Sequence, residues 1–164
     1  MRIINLIENT EGKSECTYEH GLSFYIETEN HKALLDLGQT DSSLKNAEML
    51  GVDLKAVDTV VLSHGHYDHS GGMMAFAGIN DRATIYLQEA AGGEYYADDG
   101  MQAIGDRYRY IGIDKEILKL PQVRFVNGAH VIDDEFEVFT IGRRTESISY
   151  KILHLPLYWT TGIL

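Results

Sequence analysis

The chain has 164 residues, 44% of them hydrophobic, which suits one domain with its own core and argues against disorder. Lys and Arg number 14 against 25 Asp and Glu, and the net charge of −11 argues against a general nucleic-acid binder, which needs a basic face to displace counterions. The single cysteine, Cys16, excludes an internal disulfide and a cysteine-based zinc site; with no apolar run of about 18 residues and no apolar leader, the expectation is a soluble cytoplasmic protein without a membrane span.

Residues 2–7 (Arg-Ile-Ile-Asn-Leu-Ile) predict a first strand, and the polar stretch 8–19 predicts a long loop. Leu22, Phe24 and Ile26 alternate with polar neighbours and predict a half-buried strand, turned at Glu29-Asn30 into a partner at residues 33–35. Asp41 predicts a helix cap, with Leu44, Ala47 and Leu50 on the inner face and Gly51 as the stop. Residues 57–62 end in Val60-Val61-Leu62 and predict a strand buried on both faces. Ser70 is the expected cap of a short helix through Met73, Met74, Phe76 and Ala77, and residues 84–87 predict another strand. Residues 88–120 read as helix and loop. Asn127-Gly128 predicts a hairpin between 123–126 and 129–132, followed by a strand at 136–139. Strands first, α/β units next and a meander last predict an α+β fold or a layered sandwich.

His64-Gly65-His66-Tyr67-Asp68-His69 gathers three imidazoles and a carboxylate at the carboxyl end of a predicted buried strand, where open sheets bind ligands. Imidazole nitrogen and carboxylate oxygen are ligands for first-row metals. On an extended backbone His64 and His66 point the same way, while Asp68 and His69 come after the chain has turned, so one loop can feed two adjacent metals.

This segment resembles the H-x-H-x-D-H signature of the metallo-beta-lactamase superfamily, and Leu34-Leu35-Asp36-Leu37-Gly38 is similar to the strand ending in Asp-x-Gly of that family. Gly21-Leu22-Ser23-Phe24, Lys45-Asn46-Ala47-Glu48, residues 62–72 and Arg109-Tyr110-Ile111-Gly112-Ile113 resemble, more narrowly, the dihydropterin ribofuranosylaminobenzene-phosphate synthase-like subgroup. The resemblance implies a metallo-beta-lactamase-like αβ/βα sandwich, of which residues 1–142 form the N-terminal portion. It implies that His64 and His66 belong to a first metal, that Asp68 and His69 belong to a second, and that Asp68 also orients or deprotonates the attacking water. It implies up to two divalent ions, with zinc first and iron or manganese as alternatives. Asp36 then orients ligands from behind, or equally serves as a strand-end carboxylate bound to backbone amides. The chemistry implied is metal-activated attack of water on an ester, phosphoester or amide-type bond of a small molecule.

The family draws further ligands from a second half, and here only His130 and His154 follow the signature. His130 reads as a surface strand histidine. His154 lacks the glycine- and serine-rich surroundings expected of the family's third histidine. Residues 143–164 form an atypical apolar tail, including Trp159, as a premature stop or frameshift would produce. A shortened chain of this kind leaves a sheet face open and predicts a homodimer or larger assembly with the tail as interface. The expected function is therefore a metal-dependent hydrolase or, alternatively, a catalytically incomplete half-domain that binds metal or survives as a vestige. Tyr67 and Tyr95-Tyr96 are candidate pocket residues, and Arg107, Arg109, Arg143 and Arg144 are candidates for a small phosphate.

Overall fold

A computed structural model describes residues 1–100 and 107–140, together with the backbone of 151–152. Strand β1 (Arg2–Ile7) pairs antiparallel with β2 (Ser23–Glu27), which pairs antiparallel with β3 (Lys32–Leu35), as the alternation predicts. Helix α1 (Ser42–Met49) leads through a short 3-10 turn to β4 (Thr59–Val61). Helices α2 (Tyr67–Ser70) and α3 (Met73–Ala77) then precede β5 (Thr84–Gln88). A ribbon of β6 (Tyr96–Asp98) and β7 (Tyr108–Tyr110) follows, then β8 (Val123–Val126), β9 (His130–Val131) and β10 (Glu137–Phe139). The backbone strand β11 (Lys151–Ile152) pairs with β10.

The main sheet has the order β1-β2-β3-β4-β5-β8, antiparallel up to β3 and parallel from β3 onward. The parallel register aligns Leu34, Val60 and Ile85, and these side chains pack under α1 and α3 with Ala47, Met73 and Phe76. On the other face Ile26 and Ala33 meet Phe136, which directly precedes β10 of the smaller β9-β10-β11 sheet. The result is the mixed α+β sandwich expected, and its parallel half aligns the carboxyl ends of β3, β4 and β5 along one edge.

Three expectations for the helices are corrected. The buried face of α1 is Ser43, Asn46 and Ala47, with Leu44 and Leu50 only at the core margin. Asn46 is buried because its Nδ2 donates to the carbonyls of Leu6 and Thr17 (both 2.7 Å) and its Oδ1 accepts from the Thr17 amide (2.9 Å), tying the 8–19 loop to the helix. Asp41 stands at the cap position, but its carboxylate pairs with Lys45 at 2.8 Å. Ser70 ends α2, its hydroxyl donating to the His66 carbonyl, and Gly72 stands at the start of α3.

Within 88–120 the described residues form 3-10 turns and the β6-β7 ribbon instead of longer helix. The ribbon is held by exposed cross-strand pairs such as Tyr96–Tyr110, with ring centroids 5.5 Å apart. Asn127-Gly128 does turn the chain, but out of one sheet and into the other. Val123 is buried beside Ile85 in the parallel sheet, whereas β9 is exposed, so β8 gains more by extending the buried sheet than by folding back on its neighbour. The 143–164 tail, with Arg143, Arg144, His154 and Trp159, lies outside the described residues apart from the β11 backbone.

At the end of the sheet away from the carboxyl edge, His31 clamps the two sheets together. Its Nδ1 meets Asp58 at 2.7 Å, its Nε2 meets Asp133, and its ring lies 4.9 Å from that of Phe136. Burial disfavours the charged imidazole, but the hydrogen bonds to Asp58 and Asp133 and their charges outweigh it and raise the His31 pKa above 6.5. Burial pushes Asp133 up, but amide hydrogen bonds from Glu135 and Phe136 and the contact with His31 hold it below 3.8. The imidazole's contribution to stability is complete below its unfolded pKa and is lost as pH rises through the folded value. The carboxylate's contribution is complete above its unfolded pKa and is lost as pH falls through the folded value. The clamp is therefore strongest in mildly acidic solution. His31→Gln should cost about 1–2 kcal/mol near pH ~5 and less at alkaline pH. Thermal melts of both proteins across pH check this, and a difference that does not change with pH would contradict it.

Candidate metal centre

The site is built where the parallel strands end. Asp36 follows β3, Ser63, His64 and His66 follow β4, and Tyr95 lies beyond β5. His66 is extended, with φ −108° and ψ 151°, and α2 begins at the next residue. That helical turn carries Asp68 and His69 round to the same edge. The Tyr67 amide donates to the Ile111 carbonyl (3.0 Å) and the Leu37 amide to the His69 carbonyl (2.8 Å), fixing the loop on both sides.

All four predicted ligands come together. His64 Nε2 and His66 Nδ1 are 3.1 Å apart, and His69 Nε2 lies 3.5 Å from Asp68 Oδ2. Two ligand atoms about 2.0–2.1 Å from one tetrahedral ion stand about 3.3 Å from each other. Both pairs therefore have the spacing of donors shared by a single ion. Among the described residues no three His, Cys, Asp or Glu side chains close into a finished metal cluster. The signature brings its side chains together in twos.

Asp36 resolves its two alternatives by doing both. Fully buried, it accepts from the Ser63 amide (2.7 Å) and the Ser63 hydroxyl (2.6 Å), and it bonds His69 Nδ1 at 2.7 Å. The carboxylate thereby places the His69 proton on Nδ1 and leaves the Nε2 lone pair facing Asp68. Ser63 Oγ also lies 2.9 Å from His64 Nδ1, which leaves His64 Nε2 as the nitrogen that faces His66 Nδ1.

Burial, followed by the neighbouring His69 and His66, lowers the His64 pKa to about 4, so the ring is neutral and ready to ligate at pH 7. Burial acts against the charged form of His69, but the hydrogen bond and charge of Asp36 with the charge of Asp68 outweigh it and raise the pKa.

Sequence reasoning missed two residues here. Ser63 directly precedes the signature, and its place between Asp36 and His64 needs the register of β3 against β4. His20 Nε2 lies 3.2 Å from Asp68 Oδ2, and the only hint in the sequence was a histidine next to glycine at the end of the long loop. The Tyr95 ring sits 5.6 Å from that of His66, whereas Tyr96 is out on the ribbon. Arg107 and Arg109 are exposed and paired with Asp98 and Asp99, which leaves them poorly suited to holding a phosphate. His130 is an exposed strand residue beside Tyr86.

The family model of the metallo-beta-lactamase superfamily matches residues 17–145. The uncharacterized protein MJ0448 of Methanocaldococcus jannaschii is 32% identical over 140 residues, 81% of this chain and 50% of that protein. A 7,8-dihydropterin-6-methyl-4-(beta-D-ribofuranosyl)-aminobenzene-5'-phosphate synthase of the same organism is 35% identical over 79 residues, 44% of this chain and 27% of that protein. Among solved structures, Tm1679, a metal-dependent hydrolase of the beta-lactamase superfamily, is 25% identical with a TM-score of 0.67, over 93% of this chain and 54% of that one. The chain thus spans about half, or less, of the length of these relatives. Among the described residues no helix is long and apolar enough to cross a membrane.

Proposed function

Because this chain belongs to the metallo-beta-lactamase superfamily, we propose that it is a metal-dependent hydrolase acting on an ester, phosphoester or amide-type bond of a small molecule. The observation that carries this is the double pairing of donors, His64 Nε2 with His66 Nδ1 and Asp68 Oδ2 with His69 Nε2, backed by Asp36. His64 and His66 would hold one divalent ion, and Asp68 and His69 a second. Imidazole and carboxylate donors suit zinc first, with iron or manganese as alternatives. When bound, such an ion supplies Lewis acidity and a water of pKa about 7. Asp68 would orient that water and accept its proton at the carboxylate, and Asp36 would keep the His69 proton on Nδ1. The Tyr95 ring would wall the side of the site next to His66.

The test is metal content per chain by elemental mass spectrometry, followed by a screen of ester and phosphodiester substrates. About two ions per chain and metal-dependent turnover are expected. His64→Ala should weaken zinc binding roughly tenfold or more. Unchanged affinity in that variant would remove the residue from the site, and a wild-type chain that takes up no zinc, manganese or iron would overturn the proposal.

A second reading, a metal-binding chain that self-associates without turnover, is favoured by apolar side chains left exposed on the described surface. Phe125 and Val131 are 52% and 65% exposed, and a second copy of the chain would cover them. Light scattering on the same sample should give a dimer or larger species. Bound metal with no turnover would favour this reading, and a uniform monomer would count against the assembly.

A further inference from the structure

We propose that His20 is a third protein ligand at the second metal position, beside Asp68 and His69; this rests on the metal-binding reading above. The residue lies outside the signature, on the loop between β1 and β2. Its Nε2 is 3.2 Å from Asp68 Oδ2, and the Nε2 of His69 approaches the same oxygen at 3.5 Å. Two imidazole nitrogens from separate parts of the chain therefore approach one carboxylate oxygen, each at about the spacing from it that neighbouring ligands keep on a tetrahedral ion. The His20 side chain is 65% exposed, so its ring is free to turn the remaining way onto an ion.

The loop around His20 is fastened to the site on both sides of that residue. Before it, the Glu19 carboxylate accepts from the Gln39 and Thr40 amides (both 2.8 Å) and from the Thr40 hydroxyl (2.7 Å). These residues lie three and four positions after Asp36. After it, Gly21 donates its amide to Asn9 Oδ1 at 2.9 Å. Gly21 has φ +134°, and a Cβ there would stand 2.2 Å from the Asp68 carbonyl oxygen. Only glycine lets the loop lie this close on the backbone of Asp68. A contact made by a largely exposed histidine contributes little to stability and does not call for such anchoring. A catalytic ion takes three protein ligands and leaves a position for water, and His20 with Asp68 and His69 makes three. The donor set of two imidazoles and a carboxylate suits zinc, iron or manganese.

The test compares wild type, His20→Ala, His20→Gln and the remote control His130→Ala. Zinc stoichiometry and affinity are read by competition with a chromophoric chelator, and cobalt loading gives a visible spectrum of the coordination sphere. Glutamine keeps a side-chain hydrogen bond to Asp68 but removes the imidazole, so a role limited to pairing with Asp68 would survive in His20→Gln. Both His20 variants are expected to bind zinc at His64 and His66 as wild type does, to bind the second zinc roughly tenfold or more weakly than wild type, and to change the cobalt spectrum. His130→Ala should titrate like wild type. If either folded His20 variant binds two zinc ions as wild type does, with the same cobalt spectrum, the proposal is overturned while the metal-binding reading stands. If wild type binds no metal, both fall.

Discussion

Asp36→Ala is expected to destabilise the fold by about 3–5 kcal/mol, and Asp36→Asn to spare most of the stability while lowering zinc affinity 10–100-fold. The argument starts from what the carboxylate holds. With no exposed surface, it is the acceptor for the Ser63 amide, the Ser63 hydroxyl and His69 Nδ1. Alanine would leave those donors without their partner, each at a cost of about 1–3 kcal/mol. Asp36 also has φ 56°, a left-handed conformation that short polar side chains tolerate and alanine resists.

Asparagine keeps the shape and the left-handed backbone but brings one oxygen and one NH2 group. If the NH2 faces Ser63, it meets a backbone N–H. If it faces His69, Nδ1 must become the acceptor and the proton moves to Nε2, the atom that points at Asp68. The second outcome removes a metal ligand without removing the histidine. Urea unfolding separates the two variants, and chelator competition reads the affinity. An Asp36→Asn protein that binds zinc as wild type does would break the link between the buried carboxylate and His69.

The distance over which each contact acts explains what was legible in the sequence. His64, His66, Asp68 and His69 lie within six residues, so strand geometry and one helical turn suffice to bring them together. Asp36 was legible as a strand-end carboxylate, but its grip on His69 depends on the parallel register that sets Leu35 beside Val61. His20 reaches Asp68 only because the β1–β2 loop folds over the signature, and no local pattern encodes that. Asn127-Gly128 announced a turn correctly. A turn signal says nothing of which strand its arms will pair with, and burial of Val123 decided it. The polar inner residue of α1 was missed for the same reason, since Asn46 is buried by partners at Leu6 and Thr17 rather than by its own helical period.

Gly71→Ala is expected to cost about 3 kcal/mol or more, whereas Gly51→Ala costs about 1 kcal/mol. Residue type and backbone strain alone would rank them the other way. Gly71 has an ordinary helical φ of −61°, while Gly51 has φ +71°. Space decides the order. Around Gly51 an added Cβ meets nothing within 4 Å, so alanine carries only the left-handed penalty. At Gly71 the same atom would stand 1.8 Å from the Gln39 carbonyl oxygen, and both partners are backbone, so no rotamer change can relieve it. The segment after Asp36 must then lift away from the start of α3. That movement strains the Gly71 amide bond to the Gly38 carbonyl (2.8 Å) and the Leu37 amide bond to the His69 carbonyl (2.8 Å). The second of these helps to fix His69, so metal affinity should fall together with stability in Gly71→Ala and stay at the wild-type value in Gly51→Ala. Urea unfolding and zinc titration of the two variants make the comparison. Equal losses would mean that the segment from Asp36 to Thr40 does not rest on the signature loop, and the docking of Glu19 on Gln39 and Thr40 that helps bring His20 to Asp68 would fail with it.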